Sequence, residues 1–191
     1  MALINLEDLR IEIGEKEESN DELLRVMADG VLGLFESFTQ RTLTQTALTE
    51  YYNSSEYCDR IFLRNWPVAT SPAVQIWDDP DWVWATSDLV PATDYRVDYT
   101  RGIVYYSGGY FFEGKQSIKV CYTAGYATLP AGMKRILVRQ GAHWFRQAKD
   151  QKWDVASVSL PAGAGTTSYK FLESNMLPDF ALLIEKERMK W

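Results

Sequence analysis

Apolar residues recur at helical spacing near both ends of the chain and crowd into short runs between them. Near the start, Asn5 precedes Leu6-Glu7-Asp8, which places a side-chain acceptor and acids where a helix leaves backbone N–H groups free. Gly14 marks the end of that short helix. Ser19 with Glu22 three positions later reads as a capping box for a second helix over about 20–40. Leu23, Leu24, Met27, Val31, Leu34, Phe35 and Phe38 form its apolar row, and Glu22, Arg25, Asp29 and Glu36 its polar face. Gly30 and Gly33 each cost a helix interior roughly 1 kcal/mol against alanine, which predicts a closely packed neighbour.

After Arg41 the pattern shortens. Thr46–Asn53, Arg60–Leu63, Ala73–Trp77, Tyr95–Asp98, Ile103–Tyr106 and Gln116–Tyr122 read as strands. Turn signals at Trp66-Pro67, Asp79-Pro80-Asp81, Ser107-Gly108-Gly109 and Glu113-Gly114 separate them. Short strands with tight turns predict an antiparallel sheet or small sandwich. Pro130 then opens a third helix with a wide apolar arc: Met133, Leu137, Gly141, Trp144 and Ala148 on one row, Val138, Ala142 and Phe145 on another. That width predicts burial on two sides, in a bundle or against another subunit. Residues 153–177 show little periodicity around a Pro161-Ala-Gly-Ala-Gly-Thr-Thr-Ser tract and read as a long arm. Pro178-Asp179 opens a last helix with Phe180, Leu183 and Ile184 apolar and Lys186, Arg188 and Lys190 near its C-terminal end. The expected fold class is α+β: a small helical bundle with an inserted antiparallel β-module, divided as 1–45, 46–123 and 124–191.

Composition narrows the functions. With 191 residues, 46% hydrophobic and 24% charged, the chain has enough apolar content for a core without disulfides or metals. The formal net charge of −6 argues against phosphate-driven nucleic-acid binding. The charge is uneven: residues 1–40 hold three basic and ten acidic side chains, residues 129–191 ten basic and six acidic. No run of about 20 apolar residues suggests a membrane span, and the first residues lack the pattern of a secretory signal. Cys58 and Cys121, far apart and outside any CxxC spacing, read as small buried thiols, with a disulfide as the alternative.

No GxSxG, HExxH or phosphate-loop motif is present, so no catalytic, cofactor or metal residue is assigned. His143 on the wide helix reads as a packed or interface side chain rather than a general base. Asp78, Asp79 and Asp81 offer oxygens to calcium, but Pro80 favours a solvated turn. Asp94 and Asp98 are a further carboxylate pair without an identified partner. Trp66, Trp77, Trp82 and Trp84 with Tyr105, Tyr106 and Tyr110 fit either a sugar-stacking platform or core and interface packing, so a carbohydrate-binding module is the alternative function. The run Trp82-Val83-Trp84 reads as alternating, one face in and one out.

The string Ile118-Lys-Val-Cys-Tyr-Thr-Ala-Gly-Tyr126, followed by Pro130 and a helix, resembles the strand-to-helix signature of tailed-phage head–tail connector (adaptor) proteins, found in siphophages and gene transfer agents. Leu63, Pro67-Val68, the segment Tyr95-Arg-Val-Asp-Tyr-Thr-Arg-Gly-Ile-Val104, the start Leu3-Ile-Asn-Leu-Glu-Asp-Leu9, Ser168-Tyr169 and Leu177-Pro178 follow that family's order over nearly the whole chain. The Ala/Gly/Thr-rich stretch at 162–167 departs from it in being less polar.

The resemblance implies a non-enzymatic virion protein made in the bacterial cytoplasm. It would form a ring, usually of twelve copies, dock on the portal, extend the DNA channel without gripping DNA, and receive a stopper or tail-completion protein. A closed ring needs two different faces per subunit. The expected subunit interface is Met133, Leu137, Val138, Trp144 and Phe145. Portal binding is expected at Phe180, Leu183, Ile184, Lys186, Arg188, Lys190 and Trp191, and channel lining at Glu22, Asp29 and Glu36. The arm would become ordered on docking.

Overall fold

The computed structural model describes residues 3–14, 20–149, 157–162, 165–170 and 176–188. They divide into a helical unit, residues 1–40 with 128–191, and a β unit, Arg41–Ala127, so the first six strands are an insertion between the second and third of four helices.

In the helical unit, α1 (Leu6–Ile13) begins where the Asn5 side chain accepts the Glu7 N–H at 3.4 Å. It ends at Gly14, whose φ of +81° is the left-handed geometry glycine adopts freely. α2 (Asp21–Thr39) has Asn20 rather than Ser19 at its cap position, and Ser19 lies outside the described residues. α3 (Ala131–Lys149) follows Pro130, whose carbonyl accepts the Lys134 N–H at 2.9 Å. α4 (Pro178–Glu187) carries proline at its first turn. Leu9, Leu24, Val31, Phe35, Leu137, Phe145 and Phe180 are all at most 1% exposed and form the core. At the edge of this core Arg10 grips Asp21 through Nε and Nη2, Lys134 pairs with Asp8 at 2.7 Å, and Arg146 donates to the Glu12 carbonyl at 2.7 Å.

Two readings of α2 need correction. A Cβ at Gly30 would lie 3.3 Å from the Trp144 ring, as close packing predicts, but Gly33 has nothing within 4 Å. Phe38, expected in the apolar row, is exposed, because α2 reaches its last turn there and Thr39 faces inward instead.

The β unit holds two three-stranded antiparallel sheets. In one, β1 (Thr46–Ser54) and β3 (Gln75–Asp78) flank β6 (Gly114–Ala124). The register sets Thr49 and Gln75 on either side of Cys121. In the other, β2 (Arg60–Phe62) and β4 (Tyr95–Asp98) flank β5 (Ile103–Tyr106). One apolar cluster draws on both sheets, with Ile61 and Val104 from the second and Ile76, Ile118, Val120 and Tyr122 from the first. Alternation along β6 puts Ile118, Val120, Tyr122 and Ala124 inward, the period a half-buried strand requires.

A polar network links β1 to the segment after β2. Tyr52 donates to the Glu50 carboxylate, which also accepts from Asn65 Nδ2 at 3.1 Å. The Asn65 N–H donates to the Tyr122 hydroxyl at 3.2 Å. Burial, reinforced by the Glu50 charge, pushes both tyrosine hydroxyls above the usual value, so they stay neutral. The guanidinium of Arg41 lies 3.7 Å over the Trp66 ring and donates to the Trp66 carbonyl.

Part of the expected arm at 153–177 is strand. Residues Ser157–Ala162 and Gly165–Lys170 form a two-stranded antiparallel hairpin, β7 and β8, pairing Val158 with Tyr169 and Leu160 with Thr167. Val, Thr and Tyr at alternate positions on either side of Gly163-Ala164 are a strand–turn–strand signal with no helical period. Residues 153–156, 163–164 and 171–175 lie outside the described set.

Candidate assembly surfaces

The structure moves most of the expected subunit interface indoors. Met133 is 7% exposed, Leu137 0%, Val138 6% and Phe145 1%, and Trp144 is half-buried beside Gly30. Helix α3 packs on α1, α2 and α4 of its own chain, which accounts for an arc wider than one partner needs. Gly141 permits this crowding, since a Cβ there would meet the Leu9 side chain at 3.0 Å. Gln140, absent from the expected apolar rows, is fully buried, and its side-chain oxygen accepts the Leu177 N–H at 2.7 Å. It thereby supplies the cap that α4's own residues lack.

The expected portal-binding set splits in the same way. Phe180, Leu183 and Ile184 are buried in the helical unit, so their burial is intramolecular rather than reserved for a portal. Lys186 and Arg188 are exposed, as is Leu182 at 63%. Lys190 and Trp191 lie outside the described residues. On α2, Glu22 and Asp29 are exposed and Glu36 is half-buried. These three stand seven residues apart and therefore run along one line of the helix.

At one end of the β unit the acidic cluster builds loops. The Asp79 carboxylate accepts the backbone N–H groups of Asp81 at 2.8 Å, Val83 at 2.6 Å and Trp84 at 2.8 Å. The amide of Trp84, followed by those of Asp81 and Val83, holds the Asp79 carboxyl below its usual value. This clamp bends the chain so that Trp82 and Trp84 take φ values of +62° and +56°. The expected alternation of Trp82-Val83-Trp84 therefore fails: the segment is a loop, with Trp82 59% and Val83 73% exposed. The Trp82 indole N–H donates to the Lys115 carbonyl at 3.0 Å and ties this loop to the start of β6.

Asp78 holds the neighbouring loop by accepting the Phe112 N–H at 3.1 Å. Burial pushes the Asp78 carboxyl up to about 6, with the Phe112 amide opposing and the Asp79 charge adding. A raised acid binds its proton more tightly in the folded state, so it lowers stability as pH climbs from about 4 to about 6. Asp78→Asn keeps an acceptor for Phe112 and removes the ionisation. Thermal melts should show the variant more stable than the parent at pH 7 and level with it near pH 4.

The tryptophans do not form a row of bare rings. Arg41 covers Trp66, and the Lys119 ammonium lies 4.7 Å from the Trp77 ring and 5.8 Å from that of Trp84. Tyr106 stacks on Phe111 at 4.7 Å, and Tyr57 meets Tyr110 edge-on at 5.3 Å. His143 is half-buried, and burial with the nearby Arg146 charge holds its pKa below the usual value. Cys58 and Cys121 are free, half-buried thiols rather than fully buried ones. Among the described residues, no group of three His, Cys, Asp or Glu side chains is placed to hold a metal ion, and no helix is long and apolar enough to cross a membrane.

No protein-family model and no curated protein matches the chain. Solved structures do. A chain from the virion of a native gene transfer agent (GTA) particle superposes with a TM-score of 0.61 at 17% identity, covering 99% of this chain and 91% of its own. A chain from the neck of an empty GTA particle, computed with C6 symmetry, gives 0.60 at 16% identity with the same coverage. One from the neck of a native GTA particle, computed with C12 symmetry, gives 0.54 at 17%, covering 88% of this chain and 83% of its own. At these identities the shared property is the fold: a helical bundle interrupted by a β unit, followed almost end to end.

Proposed function

We propose that this chain is a structural subunit of the neck of a phage-like particle, a head–tail connector that forms a ring, docks on the portal and carries the DNA channel onward to a stopper or tail-completion protein. The observation that carries this reading is the likeness of fold over 99% of the chain to proteins of the GTA neck and virion. The ordered motifs from Leu3 to Pro178 point the same way. In this reading the protein's work is assembly, and its place is the virion.

The charge layout suits the role. Glu22 and Asp29 present carboxylates on α2, and acidic walls repel phosphates, so DNA slides without being held. Lys186 and Arg188, exposed at the end of α4, are the described residues we assign to portal contact, in place of the buried apolar residues beside them. The test is co-sedimentation of the purified chain with its cognate portal, followed by electron microscopy of the product. A ring seated on the portal is expected. The double variant Lys186→Glu, Arg188→Glu should keep its thermal stability and lose portal binding; undiminished binding would overturn that assignment. Failure of the unaltered chain to form any ring would overturn the function itself.

A further inference from the structure

The β unit leaves one long strand edge open. β1 runs nine residues, pairs with β6 on one side only, and sits at the end of its sheet. Among the described residues, no backbone bond joins its outer edge to another element. The other edges are blunted. β3 is bridged by Leu89 and bonded by the Val90 N–H, while β2 and β4 are only three and four residues long. Open edges template further pairing, and proteins protect them with proline, lysine or bulges. The β1 sequence TALTEYYNS has neither proline nor lysine, and its register shifts only at its far end, between Tyr52 and Ser54.

The helical unit offers the complementary feature. Among the described residues, β7 and β8 form a sheet of two strands with no third strand paired to them. A two-stranded hairpin is marginal in water unless it joins a larger sheet or packs on a helix. Each of its strands has six residues, about 20 Å in extended form, which fits within the length of β1.

We propose that the β7–β8 hairpin of one copy adds to the open edge of β1 in a second copy, converting a three-stranded sheet into a five-stranded sheet shared between neighbours. The donor lies in one unit and the acceptor in the other, so the contact is head-to-tail, and repeating it around an axis closes a ring. Main-chain bonds carry the joint, so its strength depends on strand geometry more than on particular side chains. This inference rests on the ring reading above and replaces the greasy face of α3 as the source of subunit contact.

The experiment is amide hydrogen exchange on the full chain, as free monomer and in rings assembled on the portal. Amides of 46–54 and 157–170 are expected to slow together, by about tenfold or more, on assembly. A variant with Ser157–Lys170 replaced by a Gly/Ser linker of equal length should form no ring. The point variant Ser168→Pro, at a non-hydrogen-bonded position of the hairpin whose N–H faces away from β7, should weaken ring formation while its monomer melts like the parent. Rings in which the β1 edge still exchanges freely would overturn the inference and leave the connector function standing. So would rings of the linker variant with β1 protected, since another partner would then cover that edge. Absence of rings from the unaltered chain would remove both.

Discussion

Phe180→Ala should destabilise the helical unit by about 3–5 kcal/mol, the range for emptying a large aromatic site in a packed core. Phe180 is fully buried, and its ring lies 6.4 Å from that of Phe35, also fully buried. Helix α4 is ten residues long, too short to persist in water by itself, so its attachment depends on Phe180, Leu183 and Ile184 together. Urea denaturation measures the loss, and exchange of the α4 amides should rise toward the rate of an unfolded segment. The result also separates two roles for one helix. If Phe180 faces the portal rather than the core, the variant keeps its stability and loses only docking. A loss under about 1 kcal/mol would show that the core does not extend to α4.

Gly125→Ala should be nearly as damaging to the β unit, for a different reason. Gly125 has a φ of +106°, a conformation L residues avoid, and a Cβ there would lie 2.6 Å from the Thr44 carbonyl oxygen and 2.9 Å from the Gln45 nitrogen. Those atoms are backbone, and the surrounding bonds hold them: the Gly125 N–H donates to Pro67 at 2.9 Å and the Tyr126 N–H to Leu43 at 2.7 Å. Strain and collision together predict a loss of about 3 kcal/mol or more. Gly109 is the control. Its φ is +140° but nothing lies within 4 Å of its Cβ position, so alanine there should cost about 1–2 kcal/mol. Equal melting temperatures for the two variants would show that conformation alone, and not the approach of Thr44, sets the requirement at Gly125.

Local elements were readable wherever one face of the chain is buried and the other is not. The start and end of α1 and the start of α4 follow from Asn5, Gly14 and Pro178, because caps act within a few residues. The strands Tyr95–Asp98 and Ile103–Tyr106 match their expected limits residue for residue. The turn at Asp79-Pro80-Asp81 reads as a turn because an aspartate beside a proline can accept the amides that follow it. The hairpin at 157–170 is not legible in the same way, since its glycines and alanines have the composition of a flexible tract.

The candidate surfaces were far less readable. Hydrophobic periodicity reports that a side chain is buried but not by what, and the apolar residues of α3 and α4 look the same whether a neighbouring helix or a neighbouring subunit covers them. What the residues by themselves determined is the kind of protein: four helices, an inserted antiparallel unit, and acids concentrated early with bases late. Only the tertiary structure decided that α1, α2 and α4 together cover α3, that Gln140 caps α4 from another helix, and that among the described residues nothing pairs with the outer edge of β1. The physical reason is that periodicity and capping are set within a few residues along the chain, whereas covering a face or closing an edge depends on elements brought together from distant positions.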